Sequence, residues 1–119
     1  MAAKRILIIE DDLELCEELM DSLESEGYLA ECVQDPIKGE ELARDDSYDI
    51  VLLDYKMPLL SGLDILKKLK ADNIKKRIFI ITGRPSIEQV FKEGNLSDMV
   101  SGIITKPINF EVLLEKIKE

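Results

Sequence analysis

Charged and hydroxyl side chains follow four short apolar runs. Glu10, Asp11 and Asp12 come directly after Ile6–Ile9, and Asp54 comes after Ile50–Leu53. Thr82 follows Ile78–Ile81, and Lys106, itself followed by Pro107, comes just past Ile103–Ile104. Two carboxylates ~5 Å apart repel by roughly 3 kcal/mol at an effective dielectric near 20. Three crowded acids are therefore tolerable when a divalent cation binds them. The chain has no His, and its two cysteines cannot make a Cys-only metal site. The remaining hard oxygen ligands point to Mg2+, which typically keeps several waters and takes one or two carboxylates. A cation, an ammonium and a hydroxyl together suit a phosphoryl group with three partly negative oxygens.

Each residue also has an ordinary structural reading. Asp11 or Asp12 can cap a following helix, since Asp11 stands three residues before Glu14 at capping-box spacing; Asp12 is the favoured cap. Asp54 can be a turn residue before Pro58, Thr82 a helix cap, and Lys106 a solvated lysine. Taken singly these readings are as good as the chemical one. Together they leave unexplained why four strand ends carry so complementary a set.

The elements that position these residues follow from the apolar pattern. Ile6–Ile9, Ile50–Leu53 and Ile78–Ile81 are uninterrupted, as strands buried on both faces are. Ile103–Ile104 is a shorter member of the series, and Leu29–Val33, broken by Glu31, suits an edge strand. Between the runs lie helical stripes. These are Leu15, Cys16, Leu19, Met20 and Leu23 before Gly27; Leu63, Leu66 and Leu69; Ile87, Val90 and Phe91 before Gly94; and Phe110, Leu113, Leu114 and Ile117. Pro36–Ser47 supports a short helix, with Pro36 in its first turn. Strict alternation predicts an α/β fold: a five-stranded parallel sheet of order 2-1-3-4-5 with five helices on two faces, doubly wound and flavodoxin-like. In such sheets the ligand sits beyond the carboxyl ends of the strands, where all the chemical residues fall.

Composition sets bounds. The 119 residues suit one domain, and 45% hydrophobic with 34% charged residues reads as a soluble globular chain. No apolar run approaches the ~20 residues of a membrane helix, and the start has no secretory pattern, so no membrane association and a cytoplasmic location are expected. A net charge of −9 argues against direct nucleic-acid binding. Cys16 and Cys32 both lie in apolar-patterned segments and read as two buried thiols rather than a disulfide.

The segments ILIIEDD, DIVLLDYKMPLLSG, IFIITG and GIITKP resemble the receiver domain of two-component response regulators. The acidic pair, the D-x-x-M-P-x-x-x-G stretch from Asp54 to Gly62, and Lys106-Pro107 form an ordered set with family-like spacing. The resemblance covers essentially all 119 residues, so residues 1–119 are expected to be a single receiver domain with no output domain. It implies that Asp54 takes a phosphoryl group from a phosphohistidine on a histidine kinase or histidine phosphotransfer protein. Glu10 and Asp11 would hold Mg2+, Asp11 the more directly, with Asp54 and the backbone carbonyl of Lys56 as further ligands. Thr82 would hydrogen-bond a phosphoryl oxygen, and Lys106 would pair with Asp54 and then with the phosphoryl group. Pro58, Gly62 and Pro107 would shape loops, with a cis Lys106–Pro107 bond.

The resemblance implies that such a chain would catalyse its own phosphorylation and dephosphorylation and would not be a turnover enzyme. It needs no small-molecule substrate beyond a phosphodonor, and it acts on a downstream protein the sequence does not name. Where the family commonly places an aromatic ring three residues before the lysine, this chain has Ile103. That departure favours a competing reading, a phosphorylation-independent pseudo-receiver that serves as an interaction module; the complete acid, threonine and lysine set opposes it. A haloacid-dehalogenase-type phosphatase would need an Asp at Lys56, and a flavodoxin-like carrier would not place acids after its first strand.

Overall fold

Uninterrupted apolar runs that are too short for helices form the interior strands. The computed structural model describes residues 4–57, 59–84 and 86–118. Its strands are β1 (Arg5–Ile9), β2 (Leu29–Val33), β3 (Ile50–Asp54), β4 (Arg77–Thr82) and β5 (Gly102–Thr105). Its helices are α1 (Leu13–Ser25), α2 (Pro36–Leu42), α3 (Gly62–Ala71), α4 (Ile87–Glu93) and α5 (Phe110–Lys118). All strand pairings are parallel and the sheet order is β2-β1-β3-β4-β5, as the alternating pattern predicts.

The strand period of two sends alternate side chains to opposite cores. Leu7, Ile9, Val51, Leu53, Ile78 and Ile80 pack with Ile65, Leu66 and Leu69 of α3 and with Ile87 and Phe91 of α4. Ile6, Ile8, Ile50, Leu52, Phe79 and Ile81 pack with Leu19 and Leu23 of α1 and with Leu113 and Ile117 of α5. Each such side chain contributes roughly 1.5–3 kcal/mol relative to exposure, so the sheet is clamped from both faces and its strand ends are held rigidly. The edge strand β2 remains half-exposed, and its Glu31 is paired with Arg5 at 2.7 Å.

Local signals set the helix ends. Asp12 caps α1, its Oδ1 accepting from Glu14 N at 3.0 Å and Leu15 N at 3.4 Å. The cap thus belongs to Asp12, and Asp11 forms no capping box. Gly27 follows α1 with φ of 92°, a conformation that costs glycine little. Pro36 is the first residue of α2, after Asp35, whose side chain accepts from Ile37 N. Thr82 does not cap α4: the helix starts at Ile87 after Ser86, without a side-chain cap bond. Helix α4 has only seven residues and gives way to a 3-10 turn at Ser97–Met99.

The expectation of two separate thiols is corrected. Cys16 and Cys32 are joined as a disulfide, with Cα atoms 5.9 Å apart. The physical reason lies in the β1–α1–β2 crossover, which lays α1 over the β1–β2 pair and sets Cys16 against Cys32, itself opposite Ile8. Sequence spacing alone does not show that juxtaposition. Among the described residues, no helix is long and apolar enough to cross a membrane.

Candidate functional site

Because all five strands are parallel, their carboxyl ends share one edge of the sheet. Glu10 N donates to Val33 O at 3.0 Å, extending the β1–β2 pairing one residue and drawing Glu10 inside. Glu10 is fully buried, Asp54 is 3% exposed and Thr82 4%, the buried polar residues among those described. Asp11 is exposed. Glu10, Asp11 and Asp54 each present a carboxylate oxygen, all within 4.8 Å of one another. Lys106 Nζ lies 3.4 Å from Asp54 Oδ1 and 3.5 Å from Glu10 Oε1.

The electrostatics follow from burial and crowding. Burial pushes the Glu10 carboxyl up to about 7, the Asp12 backbone N–H opposes that, and the nearby Asp54 charge reinforces it. Burial alone would lower Lys106, but Asp54 and Glu10 outweigh it and hold the ammonium above its ordinary value. Glu10 Oε2 accepts from Asp12 N at 3.1 Å, whereas Oε1 is buried without a hydrogen-bond partner. A buried carboxylate oxygen with no hydrogen bond, only the Lys106 ammonium at 3.5 Å, and two further carboxylates beside it fits a hard divalent cation, which would satisfy it directly or through a bound water. The oxygen-only donor set fits Mg2+ and not a thiolate- or imidazole-seeking metal.

The loops hold these groups close together. Gly62 N donates to Tyr55 O at 2.8 Å, and a Cβ at Gly62 would stand 2.9 Å from Tyr55 Cα and 3.0 Å from Asp54 O. That approach is why the β3–α3 loop needs glycine there. Lys106 N donates to Thr82 O at 2.8 Å, and the Lys106–Pro107 bond is cis, as the family resemblance implies. Thr82 Oγ1 accepts from Arg84 N at 3.0 Å, which orders the β4–α4 loop. Asp54, Tyr55, Lys56, Thr82, Gly83, Arg84 and Lys106 line one cavity of about 700 Å3. The loop role expected of Pro58 lies outside the described residues.

The fold thus brings Glu10, Asp11, Asp54 and Lys106 together and sets Thr82 and Lys56 on the same cavity. Sequence reasoning missed Tyr55, whose ring meets Phe91 of α4 edge-on at 6.1 Å and 75°. The available signal was its place beside Asp54. A carboxylate ringed by acids, an ammonium and a hydroxyl, open to a cavity, can receive an electrophilic anion once its charge is neutralised.

Comparison with known proteins finds relatives over nearly the whole chain. The family model described as the response regulator receiver domain matches residues 6–118. The transcriptional regulatory protein YkoG of Bacillus subtilis is 33% identical over 118 residues, 99% of this chain and 51% of its own. The response regulator MprA of Mycolicibacterium vanbaalenii is 32% identical over 114 residues, 96% of this chain and 48% of its own. The chain therefore spans about half the length of these relatives. Among solved structures, a CheY-like receiver domain protein of Methanospirillum hungatei superposes with a TM-score of 0.84 at 31% identity, over 98% of this chain and 91% of that one. The chemotaxis protein CheY4 of Vibrio cholerae superposes at 0.85 over 98% of each chain, at 22% identity, a likeness of fold.

Proposed function

The chain belongs to the response regulator receiver domain family, and from that premise we propose that Asp54 is the phosphoacceptor of a two-component or phosphorelay system. The observation that carries the reading is the Asp54 carboxylate itself. It is nearly buried at the end of the central strand, paired with Lys106 and within 4.8 Å of the Glu10 and Asp11 carboxylates. A carboxylate oxygen of Asp54 attacks the phosphorus of a phosphohistidine. The P–N bond breaks, its electron pair stays on the imidazole nitrogen, and an acyl phosphate forms on Asp54.

Phosphoryl transfer has a loose transition state, so positioning and charge neutralisation carry most of the catalysis. Glu10, Asp11, Asp54 and the Lys56 carbonyl would hold Mg2+, which would supply positive charge to offset the repulsion of carboxylate and anionic donor. Lys106 supplies a second positive centre and follows the charge from Asp54 to the new phosphoryl group. Thr82, one strand over, offers its hydroxyl to a phosphoryl oxygen after transfer. Hydrolysis of the acyl phosphate returns the free carboxylate, so the chain acts as a switch between a donor kinase or phosphotransfer protein and a downstream protein.

Intact mass after incubation with Mg2+ and acetyl phosphate tests this. One phosphoryl group is expected on the wild type and none on Asp54→Asn. An adduct persisting unchanged in Asp54→Asn rejects the assignment.

A further inference from the structure

Cys16 and Cys32 are the only cysteines of the chain, and neither lines the cavity that holds Asp54. They sit on elements that the crossover sets face to face, with Cα atoms 5.9 Å apart. A Cα separation of roughly 4.4–6.8 Å is what a disulfide spans without moving the backbone. Their exposures differ. Cys16 is 2% exposed on the buried face of α1, whereas Cys32 is half-buried on the edge strand β2. The Cys16 sulfur also lies 3.4 Å from the carbonyl oxygen of Glu10. A thiol S–H at that distance donates a weak hydrogen bond, and a disulfide sulfur has no proton to donate.

We propose that Cys16 and Cys32 form a reversible thiol–disulfide site, oxidised by a low-molecular-weight disulfide, whose redox state decides whether the backbone of Glu10 accepts a hydrogen bond. Exposure sets the order of events. The Cys32 thiolate attacks one sulfur of glutathione disulfide; a mixed disulfide forms and one glutathione thiolate leaves. The Cys16 thiolate then attacks the Cys32 sulfur, the protein disulfide closes, and the second glutathione leaves. The protein loses two thiol protons and two electrons, and two glutathione thiols gain them. Reduction by excess glutathione runs the same steps backwards and restores the Cys16 donor. The site works whether or not Asp54 accepts a phosphoryl group, because it needs only the crossover of α1 over β2. Its effect reaches the acidic cluster because Glu10 belongs to both.

The test uses the full chain equilibrated with glutathione and glutathione disulfide at set ratios, then read by intact mass and amide NMR. Wild type is expected to lose two hydrogens and retain no glutathionyl group. Cys16→Ser is expected to retain one glutathionyl group at Cys32, whereas Cys32→Ser retains none at the buried Cys16. The Asp11 amide, which shares the Glu10 peptide group, is expected to move between reduced and oxidised wild type. In Cys16→Ser, where a hydroxyl keeps the donor, it should resemble the reduced form. In Cys16→Ala it should resemble the oxidised form. Two free thiols in the wild type at every ratio would overturn the site. Adducts of equal extent on both single variants would overturn the order of attack, and an Asp11 amide indifferent to redox state would overturn the link to Glu10.

Discussion

Lys106 reaches across β4 to bring its Nζ 3.4 Å from Asp54 Oδ1, although β5 and β3 are not neighbours in the sheet. The same ammonium stands 3.5 Å from Glu10 Oε1. Both carboxylates are buried, whereas the Lys106 side chain is 36% exposed. One partly solvated cation therefore neutralises two buried acids, and a divalent ion bound to those acids would compete with it.

That competition gives opposite signs for two measurements on Lys106→Ala. Loss of the ammonium removes repulsion toward Mg2+, so Mg2+ is expected to bind about fivefold more tightly. This corresponds to ~1 kcal/mol for an ion pair screened by solvent. Phosphorylation by acetyl phosphate is expected to fall by at least about tenfold, because the second positive centre for the phosphoryl group is gone. Weaker Mg2+ binding in the variant would show that Lys106 organises the acids instead of competing for them.

Asp11 and Asp12 are neighbours with separate jobs, and alanine at each should separate them. Asp12 spends its carboxylate on the first turn of α1, so Asp12→Ala is expected to cost about 1 kcal/mol of stability and leave Mg2+ affinity nearly unchanged. Asp11 belongs to the carboxylate cluster. Asp11→Ala is expected to weaken Mg2+ binding by about tenfold or more, with little loss of stability in the metal-free protein. Thermal unfolding with and without Mg2+ reads both effects by mass action; equal Mg2+ responses in the two variants would refute the division.

Most of this site was legible because parallel strands buried on both faces write themselves as apolar runs, and a run stops where the sheet meets water. Glu10, Asp54, Thr82 and Lys106 could be placed on one edge from that rule alone. The unreadable parts depend on contacts between elements distant in sequence. The approach of Cys16 to Cys32 requires the crossover, and the meeting of Tyr55 with Phe91 requires the β3–α3 loop and α4 on the same face. Thr82 read equally well as a cap, because a threonine before a helix has the same local signature whether its hydroxyl serves the helix or the loop. Here Arg84 N takes it.

Lys56 and Arg84 are exposed cations lining the cavity that holds Asp54. Each stands two residues beyond a site residue, Lys56 after Asp54 and Arg84 after Thr82. Their long side chains are expected to cover the phosphoryl group and slow its hydrolysis. Lys56→Ala with Arg84→Ala should shorten the lifetime of the phosphorylated protein about threefold, roughly 0.6 kcal/mol in barrier. Unchanged or slower decay in the double variant would sink the shielding idea.

Docking of the phosphodonor is expected on the flank formed by α1 and the β5–α5 loop. From Glu10 to Glu26 there are nine acids and no Lys or Arg. Asp12, Glu14 and Glu18 line a groove of about 310 Å3 together with Leu15, Pro107, Ile108 and Phe110, and Lys106 supplies a single cation there. Apolar side chains beside an acidic edge fit a helical partner with an apolar stripe bordered by basic residues. Rim charges act mainly on encounter, so association should slow several-fold between low and physiological ionic strength. Charge reversal by Glu14→Lys with Glu18→Lys should slow it at low salt, while phosphorylation by acetyl phosphate stays unchanged because neither residue touches Asp54. An association rate flat with salt would count against the acidic face as the docking surface. A double variant that also lost its reaction with acetyl phosphate would show damage to the site itself.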